Sequence, residues 1–381
     1  MRILISSCPA YGHLLPMLPL ARAAQRAGHD VALMTHPSVA AQAPSLPLLA
    51  AGPSIEENLA EVFSRSGRDV RDVSLDEDAD TASTPIDFFV DARMDLGAAQ
   101  ALAVVKDFAP DLVVADMADH LGPLAAAAIG VPWAVHGGSL PLYPGLAVRI
   151  EEAAVKRYAQ EGVVRTQPLA YLDPWPQVLL DAADHYPVER IAVQAEPHAG
   201  EGPTWQRPAF SGREDRPTVL LTLGTVVEDP QALGAALDSL LEYDVNVVVA
   251  PHTPGDLGDR VLAEDRVRVA GFVPMRDLLD SGIDVVVSAA GAGTVLSSLA
   301  VGVPMVLLPF GLDKPMNAAR VASVGAGKVV SSPGDVGAAV EKVLGETSFE
   351  SAAAGVAEAV RAGNTADEAL SLLLARAASV S

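Results

Sequence analysis

The sequence of 381 residues is poor in cysteine, in basic side chains and in long apolar runs. Its one cysteine, Cys8, cannot form an internal disulfide and lies in no zinc-ligand spacing, so we expect neither a metal nor a redox cofactor. Asp and Glu outnumber Lys and Arg by 48 to 26, which disfavours nucleic acid as a partner because basic side chains bind its phosphates. No apolar run approaches the roughly 20 residues of a membrane helix, and the N-terminus lacks the apolar core of a signal peptide. We therefore expect a cytoplasmic protein that binds neither membranes nor nucleic acid.

What the sequence contains is an alternation of short apolar strands with Ala/Leu-rich helices, and this alternation occurs twice. The first half has predicted helices near Leu14–Ala27 and Leu121–Ile129 and predicted strands at Arg2–Ser7, Asp30–Thr35, Asp111–Asp116 and Pro132–His136. The second half has predicted strands at Thr218–Gly224, Val245–Pro251, Asp284–Ser288 and Val303–Leu308. The pattern predicts an α/β protein with two Rossmann-like, doubly wound parallel sheets that face each other across a cleft.

The boundary between the two predicted domains falls in a stretch rich in Pro, Gly and charge. We assign residues 1–200 to the first domain, 201–216 to an exposed linker and 217–363 to the second domain. Residues 364–381 are expected to form a helix that returns to the first domain. An acidic run at Asp76–Asp80 offers an Asp-x-Asp pattern that could hold a divalent cation, but it follows no predicted strand. A solvated, mobile loop is therefore the preferred interpretation.

The most informative turn is Gly291-Ala292-Gly293-Thr294, which lies between a buried strand and a helix predicted over Val295–Ala300. Small residues let the backbone N–H groups and the positive end of the helix come close to a diphosphate. Alone, the turn also suits a nicotinamide-dependent oxidoreductase, which would have an acid about 20 residues on, where Asp313 stands. A third glycine of that motif is missing at Leu296.

Five further motifs accompany this turn in a fixed order. They are Gly12-His13-x-x-Pro16, Leu223-Gly224-Thr225, Phe272-Val273-Pro274, Gly302-Val303-Pro304, and Asp313 followed by Asn317-Ala318. With them the sequence resembles, over nearly its whole length, the bacterial members of glycosyltransferase family 1, which decorate macrolides, enediynes and other secondary metabolites. The resemblance implies the GT-B fold and a metal-independent enzyme that moves a sugar from a nucleotide sugar to a small hydroxylated acceptor.

The resemblance also implies roles for residues of the second domain. Phe272 would stack on the nucleobase while the backbone of Val273 reads its edge. Asp313 would bind sugar hydroxyls, and Asn317 would lie beside the phosphate and the sugar. The diphosphate would be held by Gly224, Thr225, Gly291, Ala292, Gly293 and Thr294. Two purely structural alternatives stay open: Phe272 could belong to the core, and Asn317 could cap its helix.

A candidate catalytic pair lies in the first domain. His13 follows the first strand, where loops line the ligand crevice of an open α/β sheet, and a histidine can take the proton of an attacking hydroxyl. Asp116 ends another strand and would orient the imidazole. Asp119 and His120 offer a competing acid and base. The family's base and acid fall on His13 and Asp116. Acceptor contacts are expected from Tyr11, Gly12 and Gly137, within a pocket built around residues 54–95 and 137–158.

Three positions depart from the family pattern. Ala289 replaces a histidine that contacts the diphosphate, and Lys314 replaces a glutamine on the sugar. Ser297 replaces the glutamate that binds the ribose hydroxyls in enzymes with uridine donors. Because a carboxylate gains less from 2′-deoxyribose, Ser297 favours a thymidine-diphosphate donor, and such donors usually carry deoxysugars. Lys314 could supply the phosphate interaction that an alanine at 289 cannot make, or it could point to solvent.

Three interpretations other than an active transferase remain at this stage. The departures could mark a degenerate protein that binds a donor and serves as an auxiliary subunit. The same fold also hosts nucleotide-sugar epimerases, and the nicotinamide-dependent oxidoreductase is the third. The acceptor, the sugar and the choice between a monomer and a homodimer are left open.

Overall fold

The structure is a computed structural model that describes residues 1–67, 83–224, 229–251, 253–258, 262–263 and 265–380. The chain divides into two compact units. The first contains Met1–Trp175, Asp181–Gln194 and Gly363–Ser381, and the second contains Pro176–Leu180 and Ala195–Ala362. The acidic run at 76–80, predicted as a mobile loop, lies outside the described residues. None of the described helices is long and apolar enough to cross a membrane.

The first unit is built on one sheet of seven parallel strands. These are β1 (Arg2–Ser6), β2 (Asp30–Thr35), β3 (Leu48–Ala50), β4 (Leu112–Asp116), β5 (Trp133–His136), β6 (Tyr171–Asp173) and β7 (Arg190–Ala192). Their order is β3-β2-β1-β4-β5-β6-β7. The strands that follow β1 are first added on one side of it and, from β4 onward, on the other side. In an open α/β sheet this switch point brings two loops together at the carboxyl edge, where ligands bind.

Helices cover both faces of this sheet. They are α1 (Tyr11–Leu14), α2 (Leu18–Arg26), α3 (Ile55–Ser66), α4 (Ser83–Ile86), α5 (Arg93–Phe108), α6 (Leu121–Ile129) and α7 (Pro144–Gln160), with a π-helical segment, Asp87–Ala92, leading into α5. Successive side chains of a strand point to opposite faces of the sheet, so each strand contributes to two hydrophobic cores. Ile3 and Ile5 pack in one core and Leu4 packs in the other. Strands buried on both faces are therefore apolar throughout.

The second unit repeats the plan with six parallel strands. These are β8 (Thr218–Thr222), β9 (Asn246–Val249), β10 (Val267–Val269), β11 (Val285–Ser288), β12 (Met305–Leu307) and β13 (Gly327–Val329), in the order β10-β9-β8-β11-β12-β13. Its helices are α8 (Pro230–Leu241), α9 (Met275–Asp280), α10 (Ala292–Ala300), α11 (Lys314–Ser323), α12 (Val336–Gly345) and α13 (Thr347–Arg361). The switch point lies between β8 and β11, so the turn before α10 follows a strand at the switch.

The last helix, α14 (Ala366–Val380), belongs to the first unit. Asn364 precedes it and donates through Nδ2 to the carbonyl of Ala192 at 2.7 Å, and a parallel bridge joins Asn364 to Val193. Its buried leucines and alanines join the core beside α2, and Arg26 pairs with Asp367 at 2.8 Å. These contacts hold the end of the chain on the first sheet.

The stretch that we expected to be an exposed linker, residues 201–216, is mostly exposed, and it is also held against the second unit. Phe210 is buried, and the guanidinium of Arg268 lies 4.6 Å from its ring centre. The backbone N–H of Trp205 donates to Asp277 at 2.8 Å, and Arg207 donates to Thr218 at 3.0 Å. The reason is that one aromatic and its cationic partners anchor a segment whose composition otherwise indicates a solvated chain.

The predicted fold class is confirmed, since both sheets are parallel and both alternate with helices. Strand β2 and helix α6 have the predicted ends. The first predicted helix is broken into α1, a short 3-10 turn and α2, because prolines follow both Leu15 and Leu18. Helix α10 begins at Ala292, three residues before the predicted start, so Ala292, Gly293 and Thr294 form its first turn.

Candidate active site

His13 and Asp116 are in direct contact in the first unit. His13 lies in α1, directly after β1, and Asp116 is the last residue of β4, the strand beside β1. The ring Nδ1 of His13 is 2.8 Å from Oδ1 of Asp116. The carboxylate is fully buried, whereas the imidazole is 27% exposed. When Nδ1–H donates to the carboxylate, Nε2 carries the lone pair that can accept a proton.

Backbone N–H groups hold the Asp116 carboxylate in place. Oδ2 accepts from the N–H of Cys8 at 2.7 Å, and Oδ1 accepts from the N–H of Ala118 at 2.8 Å. Burial raises the pKa of this carboxyl, but the His13 charge and the three donated hydrogen bonds outweigh burial and lower the pKa to about 2. Asp116 therefore stays ionised in neutral solution and can stabilise a protonated imidazole.

The competing residues Asp119 and His120 have other partners. Asp119 accepts from Ser6 Oγ at 2.5 Å and from Arg93 at 2.7 Å, and it also receives the N–H of Gly122 at the start of α6. His120 is buried, and burial lowers its pKa to about 3 with help from the charges of Arg165 and Arg93. The geometry thus pairs His13 with Asp116 and gives Asp119 a structural ion pair.

Cys8 completes a cluster that spacing along the sequence does not reveal. The ligand atoms of Cys8, His13 and Asp116 lie within 4.8 Å of one another. The thiol is buried, and burial raises its pKa well above the usual range despite the nearby Arg93 charge. A buried, neutral thiol behaves as a small apolar side chain, and Cys8 packs beside the hydrogen-bonded pair of His13 and Asp116.

The expected acceptor residues lie near His13 but differ in exposure. Gly12 is exposed and Tyr11 is half-buried against the core. Gly137 is buried, and a Cβ there would lie 2.8 Å from the Tyr171 ring, so this glycine permits close packing. The ring of Phe89, in the π-helical segment, has its centre 6.1 Å from that of His13.

In the second unit, the turn between β11 and α10 presents backbone donors. Ala290 has a positive φ of 65°, a rare conformation for a residue with a side chain, and Gly291 is the N-cap of α10 without a side-chain hydrogen bond. Nothing lies within 4 Å of a Cβ placed on Gly291 or Gly293. The space beside these two glycines is open, and the first N–H groups of a helix have no partner within the helix, so this turn suits an anion. Gly224, with a φ of 90°, follows β8, whereas Thr225 lies outside the described residues.

Asp313 and Asn317 form one structural unit at the start of α11. Asn317 is fully buried, and its Nδ2 donates to Asp313 Oδ2 at 2.8 Å and to the Ala290 carbonyl at 3.0 Å. It therefore ties the strained Ala290 turn to the carboxylate expected on the sugar. Because the Asn317 side chain is buried, it positions the Ala290 turn and the Asp313 carboxylate and does not itself face solvent.

The remaining predicted donor residues divide by exposure. Phe272 is 43% exposed, which rules out a core role, and Val273 beside it is half-buried. Ala289 is 1% exposed and packs in the core of the second unit, so only its backbone could meet a ligand. Ser297 and Lys314 are buried as well, at 7% and 6% exposure.

Two family models, one for each domain of the same family, match the chain. The model of the erythromycin biosynthesis protein CIII-like N-terminal domain matches residues 22–183, and that of the C-terminal domain matches residues 234–375. Together they span more than half of the sequence. The chain belongs to this family.

Individual relatives agree with this membership over most of their length. The chain is 29% identical to the L-demethylnoviosyl transferase of Streptomyces niveus, covering 91% of this chain and 90% of that protein. It is 27% identical to the elloramycin glycosyltransferase ElmGT of Streptomyces olivaceus, with coverages of 95% and 94%. The erythromycin CIII-like chain is thus a glycosyltransferase of the antibiotic-biosynthesis type, as the motifs predicted.

Solved structures match the fold of this erythromycin CIII-like chain. SnogD from Streptomyces nogalater is 25% identical with a TM-score of 0.79, covering 98% of this chain and 99% of that one. SsfS6 from Streptomyces sp. SF2575, solved with thymidine diphosphate, is 26% identical with a TM-score of 0.80 and the same coverages. The predicted GT-B class is confirmed.

Three contributions to the site of this erythromycin CIII-like glycosyltransferase were not predicted. The N–H groups of Cys8 and Ala118 hold Asp116, and Phe89 flanks His13. Backbone donors leave no trace in residue type, so no sequence signal would have found them. The Phe88-Phe89 pair in an otherwise helical apolar stretch was a visible signal for an aromatic near the acceptor loops.

Proposed function

We propose that this glycosyltransferase transfers a deoxysugar from a thymidine-diphosphate donor to a hydroxyl of a small natural product, with inversion and without a metal. The observation that carries the proposal is the hydrogen bond between His13 and the buried, ionised Asp116. It fixes one nitrogen of a partly exposed imidazole and turns the other into a base.

In the proposed reaction, the acceptor hydroxyl oxygen attacks the anomeric carbon of the sugar, and its proton passes to Nε2 of His13. The new bond from the anomeric carbon to the acceptor oxygen forms as the bond to the diphosphate oxygen breaks. That oxygen keeps the electron pair, and the nucleoside diphosphate leaves. Because the reaction is one displacement, attack comes from the face opposite the leaving group, and the configuration inverts.

The donor side is supported by the first turn of α10 and by a substitution. Accessible N–H groups at a helix N-terminus stabilise the charge that develops on a departing diphosphate, which is the task a metal would otherwise perform. Ser297 stands where a ribose-binding glutamate would favour uridine. The similarity to SsfS6, which was solved with thymidine diphosphate, supports the same base.

The proposal is tested by comparing His13→Ala with His185→Ala, because His185 is an exposed histidine of the same unit. General-base catalysis contributes on the order of 100- to 10,000-fold, so His13→Ala should lose that factor in kcat. Its affinity for thymidine diphosphate should stay within about twofold of wild type, and His185→Ala should match wild type in both. Wild-type turnover in His13→Ala would exclude His13 as the base.

A further inference from the structure

Two cations are buried among the residues that the structure describes, and only one of them is paired. Arg93 is 2% exposed and donates to Asp119 at 2.7 Å. Lys314 is 6% exposed as a residue, and within the described part of the chain its ammonium, which is not one of the fully enclosed polar atoms, forms neither a hydrogen bond nor an ion pair. Burial of most of a lysine side chain without an ion partner makes its charged form costly, and an anionic ligand would supply that partner.

The surroundings of Lys314 favour an anion. Lys314 is the first residue of α11, and Asn317 links the first turn of this helix to the Ala290 turn that precedes α10. In neither helix does the side chain of the N-cap residue accept a hydrogen bond from the first N–H groups. Two helix N-termini, one of which begins with Lys314, are thus joined by Asn317, and helix N-termini and a lysine each favour negative charge. The adjacent Asp313 carboxylate is already bonded to Asn317.

We infer that Lys314 is a specificity-determining residue that pairs with the donor phosphate next to the sugar. The inference rests on the proposed function, because it takes the anion to be a nucleoside diphosphate ester. The flexible lysine stem carries a point charge that needs no fixed geometry and can follow the phosphate as the sugar leaves.

The burial of Ala289 refines the expectation drawn from the sequence. A histidine at 289 would project into the core of the second unit rather than toward a phosphate, so Lys314 does not stand in for a side chain missing there. Burial lowers the pKa of the Lys314 ammonium, against the attraction of Asp313, and a bound anion would offset that effect.

The test measures the affinity of the full chain for thymidine diphosphate and thymidine monophosphate by calorimetry. Lys314→Gln should bind the diphosphate about 10- to 100-fold more weakly, which is the scale of a charge-assisted hydrogen bond. The monophosphate, which lacks the phosphate next to the sugar, should change by less than about threefold. Lys328→Gln is the matched control, since Lys328 is a half-buried lysine on β13 of the same unit.

A second variant, Lys314→Met, separates binding from folding. Removing an unpaired buried charge should keep or raise the melting temperature of the free protein while still weakening diphosphate binding. A lowered melting temperature with unchanged binding would show a structural role and overturn the inference. So would diphosphate binding at the wild-type level in Lys314→Gln, or a loss confined to the intact nucleotide sugar, which would place Lys314 on the sugar.

These outcomes are distinguishable from failure of the proposed function. If the wild-type chain binds no thymidine diphosphate, the donor proposal itself fails. If the wild type binds it and transfers sugar while both Lys314 variants behave like the wild type, only the role of Lys314 fails.

Discussion

At the residue scale, the site depends on the hydrogen bonds that the Asp116 carboxylate accepts. Asp116 accepts from His13 and Ala118 at one oxygen and from Cys8 at the other, so each oxygen faces a donor. An asparagine has a single acceptor oxygen. Whichever way its amide is turned, its NH₂ group must face an N–H donor.

We therefore predict that Asp116→Asn loses both activity and stability. The unavoidable donor–donor contact and the loss of charge should lower the free energy of unfolding by about 1–3 kcal/mol. The turnover number should fall by roughly 10- to 1,000-fold because His13 loses the charge that stabilises its protonated form. Steady-state kinetics and urea unfolding at pH 7 measure the two effects, and a variant with wild-type kcat would refute the role of Asp116.

The stability difference should depend on pH with a definite sign. The pKa of Asp116 is lowered from 3.8 to about 2 in the folded protein, so its ionised form stabilises the fold above about pH 4 and that contribution disappears as pH falls toward 2. The gap between wild type and Asp116→Asn should therefore shrink by about 1 kcal/mol between pH 7 and pH 3. Unfolding midpoints across this range provide the check, and a constant gap would contradict the account.

Which residues meet a ligand was only partly predictable at this scale. His13 and Asp116 could be proposed because both follow strands that adjoin at a switch point, and adjacency follows from topology. The exposure of each side chain to a ligand could not be predicted from topology. Ala289 and Asn317 were both expected at the donor, but the core packs around both, and only the three-dimensional arrangement decides that.

At the element scale, the start of α10 is set by a strained residue. Ala290 with φ of 65° reverses the chain after β11, and the helix begins two residues later. The sequence alone shows four small residues, which fit a turn as well as the first turn of a helix, so the earlier start was not predicted. The cost of the strain is offset in part by the hydrogen bond from Asn317 to the Ala290 carbonyl.

Close packing after β5 gives a second test at this scale. A Cβ at Gly137 would lie 2.8 Å from Tyr171, a buried ring, so Gly137→Ala should destabilise the first unit by about 1–3 kcal/mol. The matched variant Gly355→Ala, in the middle of α13 with nothing within 4 Å, should be neutral or stabilising by up to about 1 kcal/mol. Thermal unfolding of both variants makes the comparison, and equal melting temperatures would show that Tyr171 can move aside.

The strands that sequence reasoning missed share a physical property. Strands β3, β6, β7, β10 and β13 have three residues each. So short a run shows no periodicity, and its strand conformation comes from pairing with a neighbouring strand. The attachment of the segment before β8 to the second unit was not predicted for a related reason, because one buried aromatic, Phe210, fixes a mostly exposed stretch that has no regular structure of its own.

At the scale of the whole molecule, the same parallel α/β architecture occurs twice, with different residues at the carboxyl edge of each sheet. Each unit has a parallel sheet whose strand order reverses once, and part of each predicted site follows the strands at that point: His13 and Asp116 in the first unit, and Gly224 and Gly291 in the second. The first unit presents a histidine hydrogen-bonded to a buried carboxylate, and the second presents helix N-termini. This repetition was predictable because the hydrophobic alternation restarts after residue 217, and it is the reason that the fold class was predicted more fully than the site.

The central claim is the proposed single displacement at the anomeric carbon. The most direct measurement is the one-bond carbon–hydrogen coupling at that carbon in the product formed from an α-linked thymidine-diphosphate sugar and a panel of hydroxylated acceptors, with excess EDTA present. The account predicts a β-linked glycoside, because His13 activates a hydroxyl that attacks opposite the diphosphate. An α-linked product, or transfer only after a divalent cation is restored, would contradict it.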